Sequence, residues 1–219
     1  MSAYRIDQLN KTLSASLIDA RLAYILNKFQ DKALITTSFG TSSALILHFL
    51  SRVRPGFPIH FVDTGYLFEE TIAYKEELNR LFDLNIITHK PEVAHHEATR
   101  LAQLWESDPD ACCGVNKIAP LEKIKQNHEV WISGLIGYQN GYRSGLDIIQ
   151  KRSDIFRFYP LIDWSKAQVD DYFEYFGLPH HPLESLGFSS LGCTHCTIKG
   201  PGRDGRWSGS GKSECGLHT

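Results

Sequence analysis

A chain of 219 residues with 42% apolar and 11% aromatic content has enough apolar side chain to close a full core, which excludes a disordered polypeptide and points to one domain. Its formal net charge of -2 lacks the global basic field of a nucleic-acid binder, so any anion site has to be local. No run of about 18 apolar residues occurs, and the start, MSAYRIDQLN, lacks the basic-then-apolar order of a secretory signal; the expectation is a cytoplasmic protein with no membrane or nucleic-acid partner.

Along the chain, Leu9, Leu13, Leu17, Leu22, Tyr24, Ile25 and Phe29 recur at helical spacing and predict one leading helix over 4–29. ALITTSF (33–39) predicts a strand that runs into GTSSALILHFLSRV, whose Ser/Thr cluster caps a helix extending to Val53. The pattern returns with the strand IHFVD (59–63), a turn at Thr64-Gly65, the helical stretch YLFEETIAYKEELNRLF and the strand LNIITH (84–89). VWISGL (130–135) and FRFYPLI (156–162) predict two more strands, and DWSKAQVDDYFEYFG predicts a helix between an Asp/Ser cap at Asp163 and a stop at Gly177. This alternation implies βαβ units: an α/β fold with a parallel sheet and helices on both faces. Beyond His180-His181-Pro182 the character changes, and 187–219 is rich in glycine, poor in aliphatics and holds three of the five cysteines.

Four places carry chemistry. TTSFGTSS (36–43) sits where a strand ends and a helix begins; backbone N–H groups and hydroxyls there make an anion cradle or an ordinary capped loop. It matches neither the phosphate loop with its GK[ST] nor the dinucleotide fingerprint. FVDTGYLFEET (61–71) lies at a strand's C-terminal end, where open α/β sheets bind ligands, and Asp63 and Thr64 also serve as caps for the next helix.

The cysteines group as Cys112-Cys113, Cys193-Cys196 and a single Cys215. Four thiolates suit zinc or an iron–sulfur cluster. Directly adjacent cysteines fit a zinc knuckle badly, and buried structural thiols are the plain alternative. The last nineteen residues, PGRDGRWSGSGKSECGLHT, read as a frayed end or as a mobile arm that delivers Cys215 among Arg203, Arg206 and Lys212, cations that favour its thiolate.

With these pieces in place, the whole chain resembles the assimilatory adenylyl-sulfate and phosphoadenylyl-sulfate reductases, in their iron–sulfur-containing branch. The resemblance rests on SFGTSS, FVDTGYLFEET, DACCGVNKIAP, WISGLIGYQNGYR, FYPLIDWS, GCTHCTIKGPGRDGRW and KSECGLH, in the family's order across nearly the full length. It implies an adenine nucleotide alpha hydrolase-like fold, with a twisted parallel sheet, a mixed edge and a flexible C-terminal arm. Residues 1–186 would form the nucleotide-binding reductase domain, and 187–219 the segment with the cluster CxxC, the basic loop and the catalytic arm.

The resemblance further implies a [4Fe-4S] cluster on Cys112, Cys113, Cys193 and Cys196, and substrate contacts from Ser38, Phe39, Gly40, Thr41, Ser42, Ser43, Asp63, Thr64, Gly65, Leu67 and Arg143. Cys215 would be the nucleophile, with Lys117, Arg203 and Arg206 as neutralising cations and His218 orienting or tuning the thiol. The implied reaction reduces adenylyl sulfate to sulfite and AMP through a Cys215 S-sulfonate, with thioredoxin or a similar thiol donor as partner; homo-oligomerisation is left open.

The four cluster cysteines favour adenylyl sulfate; its 3'-phosphorylated form, or both, is the alternative. Three departures remove family features: Ile136-Gly137 stands where a basic pair is usual, Asn116 where an arginine is common, and the aromatic run after GRW shrinks to Trp207. Two rivals differ in class. An ATP pyrophosphatase would need the second Gly and the Asp of SGGxDS, which SFGTSS lacks; a cluster- or zinc-holding nucleotide or redox sensor would make Cys215 incidental.

Overall fold

A computed structural model describes residues 3–152, 155–208, 212 and 214–218. The tail stretch SGSGKS therefore lies in part outside the described residues, as does the Ser in KSECGLH.

In chain order the elements are α1 (Ala3–Ser14), α2 (Ile18–Phe29), β1 (Ala33–Thr37), α3 (Ser43–Val53), β2 (Pro58–Val62), α4 (Glu69–Phe82), β3 (Asn85–His89) and α5 (Val93–Leu101). There follow α6 (Leu104–Ser107), α7 (Pro109–Cys113), a π-turn over Gly114–Ile118, α8 (Ala119–Lys125), β4 (Val130–Ser133), α9 (Gly141–Ser144), β5 (Ile149–Arg152), β6 (Ile155–Phe158) and α10 (Lys166–Phe176). No helix among the described residues is long and apolar enough to cross a membrane.

The six strands form one sheet in the order β3-β2-β1-β4-β6-β5. All neighbours are parallel except the β5–β6 edge pair, which is antiparallel. The mixed-edge α/β sheet expected from the sequence is present. β1 is the centre: the chain steps outward from it through β2 to β3, then returns to its other side at β4. That reversal opens a crevice beyond the C-terminal ends of β1 and β4, where ligands seat in such sheets.

Alternation along the strands divides the two faces. Ala33 and Ile35 of β1 and Val130 and Ile132 of β4 point into the main core with Leu22, Ile25, Leu45, Leu50, Phe61 and Tyr74. Leu34 and Trp131 point the other way and meet Leu121 and Ile124 of α8. Burying such side chains contributes about 1.5–3 kcal/mol each, which makes the register costly to slip.

The leading segment is two helices where the apolar spacing predicts one. Ser16 turns its hydroxyl back onto the Thr12 carbonyl at 2.8 Å, and Arg21 donates to the carbonyls of Ser16 (3.0 Å) and Ser14 (3.1 Å). These contacts satisfy the carbonyl groups at the end of α1, which the next turn of a continuous helix would otherwise have taken. Arg21 is fixed in turn by Asp163 at 2.7 and 2.8 Å.

Strand β5 has no counterpart in the sequence reading. It has four residues and is recruited by its pairing with β6 rather than by its own pattern. Helix α10 agrees with its local signals: Ser165 and Gln168 form a capping box, and Gly177 closes it at φ +58°.

Candidate active site

The crevice beyond β1 and β4 is a cleft of about 200 Å³. Its lining includes Ser38, Gly40, Thr41, Ser42 and Ser43 from the loop after β1, Thr64 and Leu67 from the loop after β2, and Lys117, Arg143, Arg203, Arg206, Glu214, Cys215 and His218. Segments remote in the chain thus bring most of the expected site residues to one place.

Three expected residues stand outside the lining. Phe39 has φ +50°, and this turn sends its ring into the core against Phe61, with centroids 5.2 Å apart at 80°. Asp63 accepts the Gly65 N–H at 3.0 Å and pairs with Lys90 at 3.6 Å, so it builds the turn after β2. Gly65 has φ +76°, and a Cβ there would lie 2.7 Å from His96 Cε1; only glycine fits both conditions.

The cations are placed by burial and by specific partners. Arg206 donates to the Leu191 carbonyl at 2.6 Å and lies 4.3 Å over the Trp207 ring. It passes so close to Gly192 that a Cβ there would meet its Nη2 at 2.2 Å. Burial lowers the Arg206 pKa, opposed by Cys215, Cys193 and Cys196. Arg203 is brought down to about 10 by burial and then by Arg143, against the pull of Glu214. Lys117 sits in the π-turn directly after Cys113; burial opposes its charge, but Cys193, Cys113 and Cys215 outweigh burial and hold its ammonium above the ordinary lysine range.

Glu214, next to the candidate nucleophile, accepts four hydrogen bonds. Arg143 Nε (2.7 Å) and Asn140 Nδ2 (2.9 Å) reach Oε1; Arg143 Nη2 (3.0 Å) and Arg203 Nη2 (3.1 Å) reach Oε2. Burial alone would raise the Glu214 carboxyl, yet Arg143 and Arg203 hold it below the usual carboxylate range. Arg143, expected at the substrate, commits its third nitrogen to Gln139.

His218 is buried and stacked on Trp131, and its carbonyl accepts from Arg157 at 2.6 Å and from Tyr142. Burial, then Arg143 and Arg157, push the ring well below the ordinary histidine range, so it is neutral at pH 7. The described part of the arm is therefore docked, and a neutral His218 anchors it.

The four cysteines beside the cleft are free and buried. Cys112 and Cys113 lie in α7, whose N-cap Asp108 accepts from Ala111 at 2.9 Å. Cys193 precedes and Cys196 ends a single 3-10 turn, tied to the β2 loop where the Thr194 N–H meets the Tyr66 carbonyl at 2.8 Å. Cys112 and Cys193 pack with Tyr66 in one cluster. The Thr64 hydroxyl lies 3.3 Å from the Cys193 sulfur, and Asn116 Nδ2 3.6 Å from that of Cys112.

Burial, then Cys113, pushes the Cys112 thiol up to about 11, and burial also raises Cys113 and Cys196. Among the described residues, no three His, Cys, Asp or Glu side chains are arranged to hold a metal ion.

The departures noted in the sequence are internal struts. Asn116 is buried, donates to Thr99 Oγ1 and the Cys112 carbonyl, both at 3.0 Å, and shares a 2.8 Å contact with His96. At Gly137 a Cβ would stand 2.5 Å from the Ile162 carbonyl oxygen, so no side chain fits there. Glu214, Asn140, Tyr142, Arg157 and Trp131 are the residues that sequence reasoning left without a role. Trp131, Asn140, Tyr142 and Glu214 are signalled only by membership of the quoted motifs, and Arg157 only by its place in the strand stretch FRFYPLI.

Known proteins bear on this arrangement. The phosphoadenosine phosphosulfate reductase domain family matches residues 32–199. The adenosine 5'-phosphosulfate reductase of Bacillus mycoides (strain KBAB4) is 37% identical over 206 residues, covering 90% of this chain and 88% of that protein. The crystal structure of phosphoadenylyl-sulfate reductase from Candida auris, a phosphate complex, has a TM-score of 0.79 at 26% identity, over 90% of this chain and 98% of that one. FMN adenylyltransferase of Candida glabrata, at 18% identity and a TM-score of 0.59 over 90% of this chain and 67% of that one, shares the fold alone. The chain belongs to the phosphoadenosine phosphosulfate reductase family.

Proposed function

We propose that the protein reduces adenylyl sulfate to sulfite and AMP, with electrons from a thiol donor and an S-sulfonate on Cys215 as intermediate. The observation that carries this reading is the position of Cys215: half-buried in the cleft at the switch point of the sheet, in the company of Lys117, Arg203 and Arg206.

Each step balances. The Cys215 thiolate attacks the sulfur of the mixed anhydride; an S–S bond forms, the S–O bond to phosphate breaks, and AMP departs with the electron pair. A donor thiolate then attacks the Cys215 sulfur and sulfite leaves with its bonding pair, so that over the two exchanges the sulfur goes from the +6 to the +4 state. A second donor thiol resolves the mixed disulfide and regenerates Cys215, the chemistry of a protein dithiol such as thioredoxin.

Negative charge concentrates on the bridging oxygen while two anions approach. Lys117, Arg203 and Arg206 are the groups placed to neutralise it, with Ser38, Gly40, Thr41, Ser42 and Ser43 as the cradle for substrate oxygens.

The donor set of Cys112, Cys113, Cys193 and Cys196 fits a [4Fe-4S] cluster. Burial, and beside it the neighbouring cysteines, oppose ionisation of Cys112, Cys113 and Cys196, a load that a polynuclear iron centre would relieve, and the Thr64 hydroxyl and Asn116 Nδ2 lie against two of the sulfurs. Cys112, Cys113, Cys193 and Cys196 would each supply one thiolate to that centre. When bound, the cluster supplies a fixed charge beside Lys117 and a rigid tie between residues 1–186 and the 187–219 segment; the thiols supply the electrons.

The testing measurement is the intact mass of anaerobically purified protein after one equivalent of adenylyl sulfate or of its 3'-phosphorylated form, with no thiol present. One added SO3, lost on adding reduced thioredoxin and missing in Cys215→Ser, supports the mechanism and identifies the nucleotide. No adduct from either nucleotide overturns it.

A further inference from the structure

The residue immediately before the nucleophile holds a buried carboxylate that the reaction above does not use. The Glu214 side chain is 3% exposed, and both its oxygens are fully occupied by Arg143, Arg203 and Asn140. An ionised carboxylate survives burial only where charge and hydrogen bonds replace its water. The contact spans 71 residues of sequence to Arg143 and 74 to Asn140, so it fastens the arm to the body.

Arg143 is consumed by it, because its remaining nitrogen serves Gln139. On the other side of Cys215, the His218 carbonyl is held by Arg157 and Tyr142. Cys215 thus hangs between Glu214 and the His218 carbonyl, the former an ion pair immediately beside the thiol; earlier in the arm Lys212 pairs with Asp110.

We propose that Glu214 is a positioning residue that latches the C-terminal arm shut. Its carboxylate seats Cys215 in the cleft before any nucleotide arrives, and release of its bonds to Arg143, Arg203 and Asn140 is the opening that lets a second molecule reach the thiol. The identity of that molecule as the thiol donor rests on the reductase reading; the latch itself does not. A chain without the latch would leave Cys215 exposed to any thiol or oxidant, and would place it over substrate less often.

The test is the rate at which iodoacetamide alkylates Cys215 in the full-length, anaerobically purified protein, followed by peptide mass spectrometry across a pH series. Glu214→Gln removes the charge. Asn140→Asp keeps the cap of α9, since its carboxylate still accepts the Arg143 N–H, but turns an oxygen toward Glu214 Oε1 in place of the donor. The quantity that reports opening is the plateau rate at high pH, where the thiol is fully ionised in every variant, so that ionisation is not read as opening.

The latch predicts a plateau about tenfold above wild type in both variants, with circular dichroism and iron content unchanged, in keeping with the loss of one buried charge-assisted contact. Plateaus equal to wild type, with only the midpoint moved, overturn it, and Asn140→Asp decides the matter if Glu214→Gln does not fold. A faster plateau in protein that gains no SO3 from either nucleotide would sink the reductase reading and leave the latch standing.

Discussion

The His218 imidazole lies parallel to the Trp131 indole, with ring centroids 4.4 Å apart and planes at 11°. Trp131 comes from the centre of the sheet and donates its indole N–H to Thr36 at 2.7 Å, so the end of the arm rests on the central strands of the sheet. The stack has a pH signature. The folded pKa of His218 is lowered, by burial first and then by Arg143 and Arg157.

A histidine lowered in this way stays neutral in the native state while the unfolded chain takes up a proton below about pH 6.5. Its contribution is therefore complete above that value and is lost as the pH falls through it. Between pH 7.5 and 5.5 the loss is about 1.4 kcal/mol for one proton. His218→Phe keeps a ring on Trp131 and cannot titrate, so urea unfolding at the two pH values should show wild type losing about 1.4 kcal/mol more than the variant. Equal losses would mean that the ring is not buried neutral.

Gly192 controls a cation through empty space. With Arg206 Nη2 at 2.2 Å from a Cβ, Gly192→Ala moves the guanidinium rather than the backbone. The expected result is a folded protein whose single-turnover sulfonation of Cys215 is slower by about tenfold to a hundredfold, the scale of losing one charge-stabilising donor. Rapid-quench mass spectrometry reads the rate, and an unchanged rate would remove Arg206 from the charge-neutralising set.

Gly137 separates packing from charge. The sequence resemblance expects a basic pair at 136–137, and on that expectation an arginine placed there would strengthen nucleotide binding. The Ile162 carbonyl oxygen, 2.5 Å from a Cβ at 137, also accepts the Gly137 N–H at 2.9 Å. Gly137→Ala should therefore destabilise by about 2 kcal/mol through overpacking against backbone, and Gly137→Arg by more, with no gain in affinity. Thermal unfolding with calorimetric nucleotide titration checks both halves.

The cysteine set makes a prediction that is blind to catalysis. Cys112→Ser and Cys196→Ser, from opposite ends of the set, should each lose iron and visible charge-transfer absorbance together, because a four-thiolate cluster with a ligand missing is rarely retained. Cys215→Ser should lose neither. Iron analysis of the three anaerobically purified variants gives the answer, and full iron in Cys112→Ser would exclude that residue as a ligand.

Much of this protein is local and therefore legible in the chain. The strand–loop–helix run from Ala33 to Val53 follows from side-chain period, although Ser42 at the N-cap of α3 makes no side-chain cap hydrogen bond; the limits of α10 follow from Ser165 and Gly177, and the parallel sheet from the alternation of such units. The cysteine pairs and ECGLH stand out in the chain because residue type and spacing do not depend on the rest of the fold, while the cluster and nucleophile roles proposed for them come from the family resemblance. Tertiary structure alone decided that the leading helix breaks, since Arg21 must reach both Asp163 and the carbonyls of Ser14 and Ser16. It alone turned Phe39 inward and gave Asp63 to a turn. It alone brought Glu214 to Arg143, because a buried carboxylate finds its counter-charge by distance in space, and no periodicity records a partner 71 residues away.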